Sequence, residues 1–441
     1  MEIIIQASQF LLSLSLLIIL HELGHFIPAK IFKTKVEKFY LFFDYKFSLF
    51  KKKIGETVYG IGWIPLGGYV KIAGMIDESM DTDQMKEEPK PWEFRSKPAW
   101  QRLIIMVGGV TVNVILAIVI YIGTLMYYGE EVLPIKNIEQ GLMVGEKGKA
   151  IGLETGDLVV SVDGKQLTRY NEINKELVLS ESSISIIRNG EAMDIQVNPE
   201  DKAKLLEGDG AIVQLRFPFV IESFGDTSAA KEAGVEVGDW IKAVNDQENL
   251  TADMIPEIIP EHAEDTIQLG ILRGDEYLTI SVVVPESGKI GIKPQNKIEL
   301  KKYFQLESQK FTLAEAIPAG WNKTTGVLKD YIRQLKMIFT PSTGAYKKVG
   351  GFIAIASQFP NEWDWEWFWG ITAFLSIMLA FLNILPIPAL DGGHVVFVLI
   401  EMVTGRKPSD KVLEYAQMVG FFILLALIVL ANGNDILGLF K

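Results

Sequence analysis

The sequence predicts a multi-pass α-helical membrane protein with four transmembrane helices, a membrane-associated β-hairpin and two inserted α+β domains. Three observations predict it. Four runs are long and apolar enough to cross roughly 30 Å of hydrocarbon. A glycine-punctuated, β-rich stretch lies between the first two. A unit of about 80 residues occurs twice between the second and third, which marks a duplicated domain rather than a solenoid.

Composition sets the frame. Hydrophobic residues make up 49% of the 441, yet 22% are charged, so apolar and polar segments must alternate along the chain. The net charge is −12 and no basic domain stands out, which excludes a nucleic-acid partner. With no cysteine, disulfides and thiolate metal sites are impossible.

The first run, Ile3 to Ile27, lacks a basic leader region and a small-residue cleavage site, so it reads as a retained span. The others are Leu103 to Tyr128, Phe368 to Leu390 and Val412 to Leu430. Lysine and arginine crowd Lys30–Lys53, precede the second run at Arg95, Lys97 and Arg102, and mark the third link at Arg406, Lys407 and Lys411. By the positive-inside rule these segments face the cytoplasm, and residues 129–367 lie on the far side of the membrane.

The hairpin is expected in Val58–Met75, where β-formers alternate with Gly60, Gly62, Gly67, Gly68 and Gly74. It packs on the spans, or its edge pairs with an extended peptide. From Asp77 to Lys97 the chain reads as an acidic surface loop. The repeated unit appears as "KAIGLETGDLVVSVDGKQL" (149–167) and "KEAGVEVGDWIKAVNDQENL" (231–250). Each copy is followed by two β-rich runs around a turn, Arg-Asn-Gly or Arg-Gly-Asp. From Phe311 to Phe339 the apolar stripe Val327, Leu328, Tyr331, Leu335 and Ile338 predicts an amphipathic helix, on the membrane surface or braced against other elements. The expected domains are 1–128, 129–210, 211–297, 298–367 and 368–441.

The chemistry starts at "HELGHF". His21 and His25 are one helical turn apart and present both imidazoles on one face; Glu22, offset by about 100°, is placed to hold a water at the same ion. Ionisable groups at a span's end need partners or a function. A catalytic zinc takes three protein ligands, so a third must come from elsewhere. "NILPIPALDGGHVVF" (383–397) offers Asp391, at an apolar–polar border after the helix-breaking Pro386 and Pro388, and His394, further toward water. His262 sits in an acidic stretch and reads as solvated.

The two repeats resemble bacterial PDZ domains, "AGVEVGDWIKAVN" most closely; such domains bind extended peptides or chain ends on a sheet edge. "HELGHF" in the first span with "NILPIPALDGGH" in a late one resembles the site-2 protease family of intramembrane zinc proteases, of the bacterial regulator-of-sigma-E type. The resemblance covers essentially the whole chain. It implies zinc held by His21, His25 and Asp391, with Glu22 as base. It implies that Asn383 and the Gly60–Tyr69 segment, with Gly60, Gly62, Trp63, Gly67, Gly68 and Tyr69, hold an unfolded substrate strand. Implied substrates are single-span membrane proteins such as anti-sigma factors and leftover signal peptides. The PDZ pair would bind a newly cut terminus or exclude bulky outer domains. Two other classes remain: a membrane zinc transporter or sensor, and a PDZ scaffold with an inactive site.

Overall fold

The computed structural model describes residues 2–65, 67–75, 87–206, 210–295, 299–438 and 440. The expected acidic loop lies outside them from Asp77 to Lys86. The chain forms two compact units, one of residues 1–130, 310–339 and 345–441, the other of 131–309 and 340–344.

The first unit begins with α1 (Glu2–Ile31), which extends four residues past the predicted end and carries Pro28 inside it. Four strands follow: β1 (Val36–Leu41), β2 (Phe50–Ile54), β3 (Thr57–Ile61) and β4 (Tyr69–Ile72). The predicted hairpin over Val58–Met75 is not what forms. β3 turns back on β2 and runs parallel to β1, while β4 pairs with the other side of β1, giving the order β2-β3-β1-β4. Aromatic packing decides this arrangement. A Cβ at Gly60 would strike the Tyr40 ring, and one at Gly67 would stand 2.9 Å from the Phe43 ring. The glycines make room for aromatics of the neighbouring strand and link. β4 and β2 are the edge strands of this sheet.

α2 (Ala99–Tyr127) packs on α1 through small residues. A Cβ at Gly24 would lie 2.5 Å from Gly108 O and 2.7 Å from Gly109 Cα. Backbones that approach this closely gain dispersion contacts, which drive helix association where lipid replaces water. Gly24 lies between His21 and His25 on the helix, so the contact turns both imidazoles toward α2.

The inserted unit holds two cores. The first is built from β5 (Leu142–Val144), β6 (Leu158–Val162), α3 (Tyr170–Val178), β7 (Ser183–Arg188), β8 (Glu191–Gln196) and β9 (Val213–Leu215). It buries Val159, Ile173, Leu177, Ile184 and Ile186 completely, each contributing about 1.5–3 kcal/mol. The second contains β10 (Phe219–Phe224), β11 (Trp240–Val244), α4 (Ile255–Ile258), β12 (Thr266–Arg273), β13 (Glu276–Val283) and β14 (Ile292–Pro294), around Ile241, Ile267, Leu269 and Ile271.

The duplication is exact in its polar bonds. Arg188 pairs with Asp157 through Nε at 2.7 Å and Nη2 at 2.8 Å, reaches Glu154 at 2.6 Å and donates to Gly152 O at 2.9 Å. Arg273 repeats this with Asp239 at 2.8 Å twice, Glu236 at 2.7 Å and Gly234 O at 2.8 Å. The turn residues Asp163 and Asn245 both adopt φ of 51° and both accept backbone N–H groups across the turn. Asn189 and Gly190 have φ of 52° and 84°, the two-residue hairpin turn that Asn-Gly predicts.

The chain returns to the first unit with α5 (Leu313–Ile338), opened by a Thr312–Glu315 capping box. It does not stand alone. Tyr331 is buried and stacks on Phe381 of α6 (Trp365–Ile384), and Gly320 meets Ile122 of α2. The apolar face predicted for a membrane surface is therefore a brace against two spans. Leu313, Ile317, Trp321 and Ile332 stay exposed. Trp363, Trp365 and Trp367 cluster at the start of α6, as interfacial aromatics do. α6 ends at Ile384, six residues before the predicted end of the third span. A non-helical turn leads to α7 (Asp391–Thr404), and α8 (Asp410–Gly438) closes the chain. Asp391 therefore opens a new helix rather than ending a span.

Candidate metal centre

α1 brings His21 and His25 together with their Nε2 atoms 3.3 Å apart. Asp391 Oδ2 lies 3.3 Å from each of them. Three donor atoms thus form an equilateral triangle. A tetrahedron's edge is about 1.6 times its centre-to-corner distance, so this edge corresponds to about 2.0 Å, the zinc–nitrogen and zinc–oxygen distance. The fourth corner is left for water or substrate. Asp391 Oδ2 is buried and has no hydrogen-bond partner among the described residues. A buried carboxylate oxygen facing two imidazole nitrogens fits a cation at the centre of the group.

The outer partners orient the rings. His25 Nδ1 donates to Ile105 O at 2.8 Å, which leaves Nε2 with its lone pair for a metal. His21 Nδ1 lies 3.1 Å from the Asn113 amide, whose Oδ1 is buried without a partner. A half-turn of that amide lets Oδ1 accept the Nδ1 proton and frees His21 Nε2 in the same way. Gly109 of α2 floors the site: a Cβ there would clash with His25 Nε2 and stand 2.6 Å from His21 Cε1.

Asp391 reaches the histidines through a strained turn. Pro386 and Pro388 keep residues 385–390 out of helix. Gly393 must lack a side chain, because a Cβ would lie 2.6 Å from Ile387 O and Pro388 Cα. Ala389 has φ of 86°, a left-handed conformation that a non-glycine residue adopts only when held. Its N–H donates to Gln417 Oε1 of α8 at 3.1 Å. Gly420, one turn further along α8, sits so close to Pro388 O that no side chain fits.

Glu22 lies beside the start of β4. A Cβ at Gly68 would touch Ile18 and lie 3.7 Å from Glu22 Cγ. Asn383 Nδ2 is 3.3 Å from His21 Nε2, at the rim of the triangle. The other residues expected to hold substrate make their own contacts within the sheet and its links. Gly60, Gly62 and Gly67 accommodate the Tyr40 ring, the Phe43 backbone and the Phe43 ring. Trp63 stacks on Phe47 and donates to Tyr45 O at 2.8 Å. Tyr69 lies between Tyr40 and Phe43 and donates to Asp44 at 2.8 Å. Among the described residues expected to hold substrate, Asn383 adjoins the triangle and Gly68 adjoins Glu22. His394 faces a separate cavity of about 90 Å³ lined by Phe94, Arg102 and Glu401, and His262 lies 3.4 Å from the Asn245 amide. Gly109 and Gln417 carry no motif that sequence reasoning could assign to the site, although "VGGVTVNV" marks α2 as a close-packing helix.

Membrane-length helices around two histidines and a carboxylate, with a glutamate alongside, define a membrane metalloprotease. The profile of Peptidase family M50 matches residues 9–427, and the chain belongs to that family, the site-2 proteases. A chain named as a zinc metalloprotease in Clostridium perfringens is 28% identical, with 97% of both chains covered. Another so named in Rickettsia conorii is 26% identical over 98% of each. The regulator of sigma E protease of Haemophilus influenzae is 27% identical over 98% of each. Zinc is the metal of this protein, and among the described residues four helices are long and apolar enough to cross a membrane.

Proposed function

We propose that this protease cuts single-span membrane proteins within or near their membrane segment. The observation that carries the reading is the 3.3 Å triangle of His21, His25 and Asp391 beside Glu22. His21, His25 and Asp391 hold the zinc. Zinc, when bound, polarises the scissile carbonyl and lowers the pKa of a neighbouring water toward 7. Glu22 removes that water's proton as its oxygen bonds to the carbonyl carbon, then delivers the proton to the amine nitrogen as the C–N bond breaks. Asn383 orients the substrate carbonyl at the rim.

A helical substrate hides its carbonyls, so it must unwind before cleavage. The outer edge of β4, ending beside Glu22, offers main-chain partners to the unwound strand. The lysine-rich segments put the zinc centre toward the cytoplasm of a bacterial inner membrane and the inserted unit on the far side. Its two halves are PDZ domains, a reading supported by their matched arginine–aspartate bonds, and a peptide or chain terminus binds to the pair.

The test is Glu22→Gln in the full-length protein, reconstituted with a single-span substrate. Zinc content stays at one per chain and cleavage falls by at least about a thousandfold, as for loss of a general base at a metal. Persisting cleavage overturns the assignment of the base. Zinc flux that survives the change, without cleavage in the wild type, supports a transporter instead.

A further inference from the structure

The two inserted domains differ at the one place where a peptide would bind. In the first, Leu142 of β5 donates to Asp157 O and accepts from Gly156 N. In the second, Ile221 of β10 donates to Asp239 O and accepts from Gly238 N. These bonds make β5 and β10 equivalent. Their partners β9 and β14 are then equivalent as well: Leu215 faces Leu142 and Pro294 faces Ile221. Gly145 N donates to Ile212 O as Gly225 N donates to Gly291 O. Alternation along a strand then points the main-chain groups of Val213 and Leu215 of β9, and Ile292 and Pro294 of β14, away from the sheet. Each is an edge strand.

On β9 this outer edge is filled. Asn174 of α3 donates from Nδ2 to Val213 O at 2.8 Å, and its Oδ1 accepts from Val213 N at 3.0 Å and Ile212 N at 3.1 Å. Its carboxamide occupies both main-chain groups of Val213 as one peptide unit of an added strand would. On β14 the corresponding groups have no such cover. Pro256 and Pro260 confine the equivalent helical segment to α4 and a 3-10 turn, Ile259–His262. Among the described residues, no side chain there bonds β14, and no bond from outside the sheet engages the N–H or C=O of Ile292.

We propose that the first domain caps its own peptide edge with Asn174, and that recognition of an extended peptide falls to the second domain alone, at Ile292. The amide seated on Val213 shows what the vacant partner position takes: one main-chain unit of a β-strand. This rests on the PDZ reading above. Pro294 lacks an N–H, so the strand on β14 is held by the pair of bonds at Ile292 and by the Pro294 carbonyl.

Hydrogen exchange on the full-length Glu22→Gln protein in detergent tests it, with a valine–threonine peptide bearing a free carboxylate as probe. Without peptide the Val213 amide is protected and the Ile292 amide exchanges freely. With peptide Ile292 becomes protected and one peptide binds per chain. Ile292→Pro weakens that binding by roughly tenfold or more, and Asn174→Ala admits a second peptide. A freely exchanging Val213 in the absence of peptide, or binding that protects the first domain and survives Ile292→Pro, overturns the assignment while leaving the PDZ reading intact. No peptide binding by any variant removes that reading too.

Discussion

Gln417 Oε1 accepts the N–H of Ala389 at 3.1 Å, and Ala389 stands two residues before Asp391 in a left-handed conformation. The last membrane helix therefore holds the turn that delivers the third metal-binding side chain. A non-glycine residue in this region costs of order 1–3 kcal/mol, and a buried amide left without its acceptor costs about as much.

Replacing Gln417 by Ala is expected to raise the zinc dissociation constant, by roughly tenfold or more if about 1.4 kcal/mol is lost at the turn. Zinc release to a competing chelator measures it. Adding Ala389→Gly removes the conformational strain and should recover part of the loss. A merely structural role for Gln417 would show no such rescue.

Gly109 has no room for a methyl group. Gly109→Ala pushes a Cβ against both imidazoles and should abolish zinc binding while the helices still assemble. Gly123, on the same helix, has nothing within 4 Å of the place a Cβ would take, so Gly123→Ala should keep its zinc. Metal content after dialysis, compared between the two, decides the matter.

Asn113 acts one shell out from the metal. Asn113→Ala leaves His21 Nδ1 without its partner, and such changes typically cost 10–100-fold in metal affinity. A chelator competition curve should shift by about that factor, with His21 still present.

Asp163 predicts a pH dependence in the inserted unit. Desolvation alone would raise its pKa, but N–H groups of Ser183, Glu181 and Ser182 and the Ser182 hydroxyl hold it below the ordinary carboxylate value. A folded pKa below the unfolded one contributes stability above the unfolded value, near pH 4, that is lost as pH falls through the folded one. Asp163→Asn keeps the turn, as Asn245 does in the second copy, and loses the charge. Melting curves should separate the two proteins at neutral pH and converge on acidification below about pH 4.

The helical period made the histidine pair and its glutamate legible, because a four-residue spacing on a helix is a geometric statement. The spans were legible because lipid demands length and apolarity. Turn chemistry revealed the duplication, down to its Asn-Gly hairpin. The hairpin over Val58–Met75 was misread because glycines and β-formers announce strands but not their partners. Here Gly60 and Gly67 serve the rings of Tyr40 and Phe43, and the strands on either side pair with β1 instead of each other. Likewise the stripe ending at Ile338 announced an apolar face without saying that α2 and α6 cover it.

By itself the sequence determined which side chains are available for chemistry and the local shape that carries them, since backbone periodicity acts over a few residues. Only the tertiary structure decided that Asp391, rather than His394, meets His21 and His25, and that Asn174 closes one strand edge while Ile292 is left open. Such choices depend on contacts between segments distant in the chain, where a glycine's missing methyl or one left-handed residue sets positions to within an ångström.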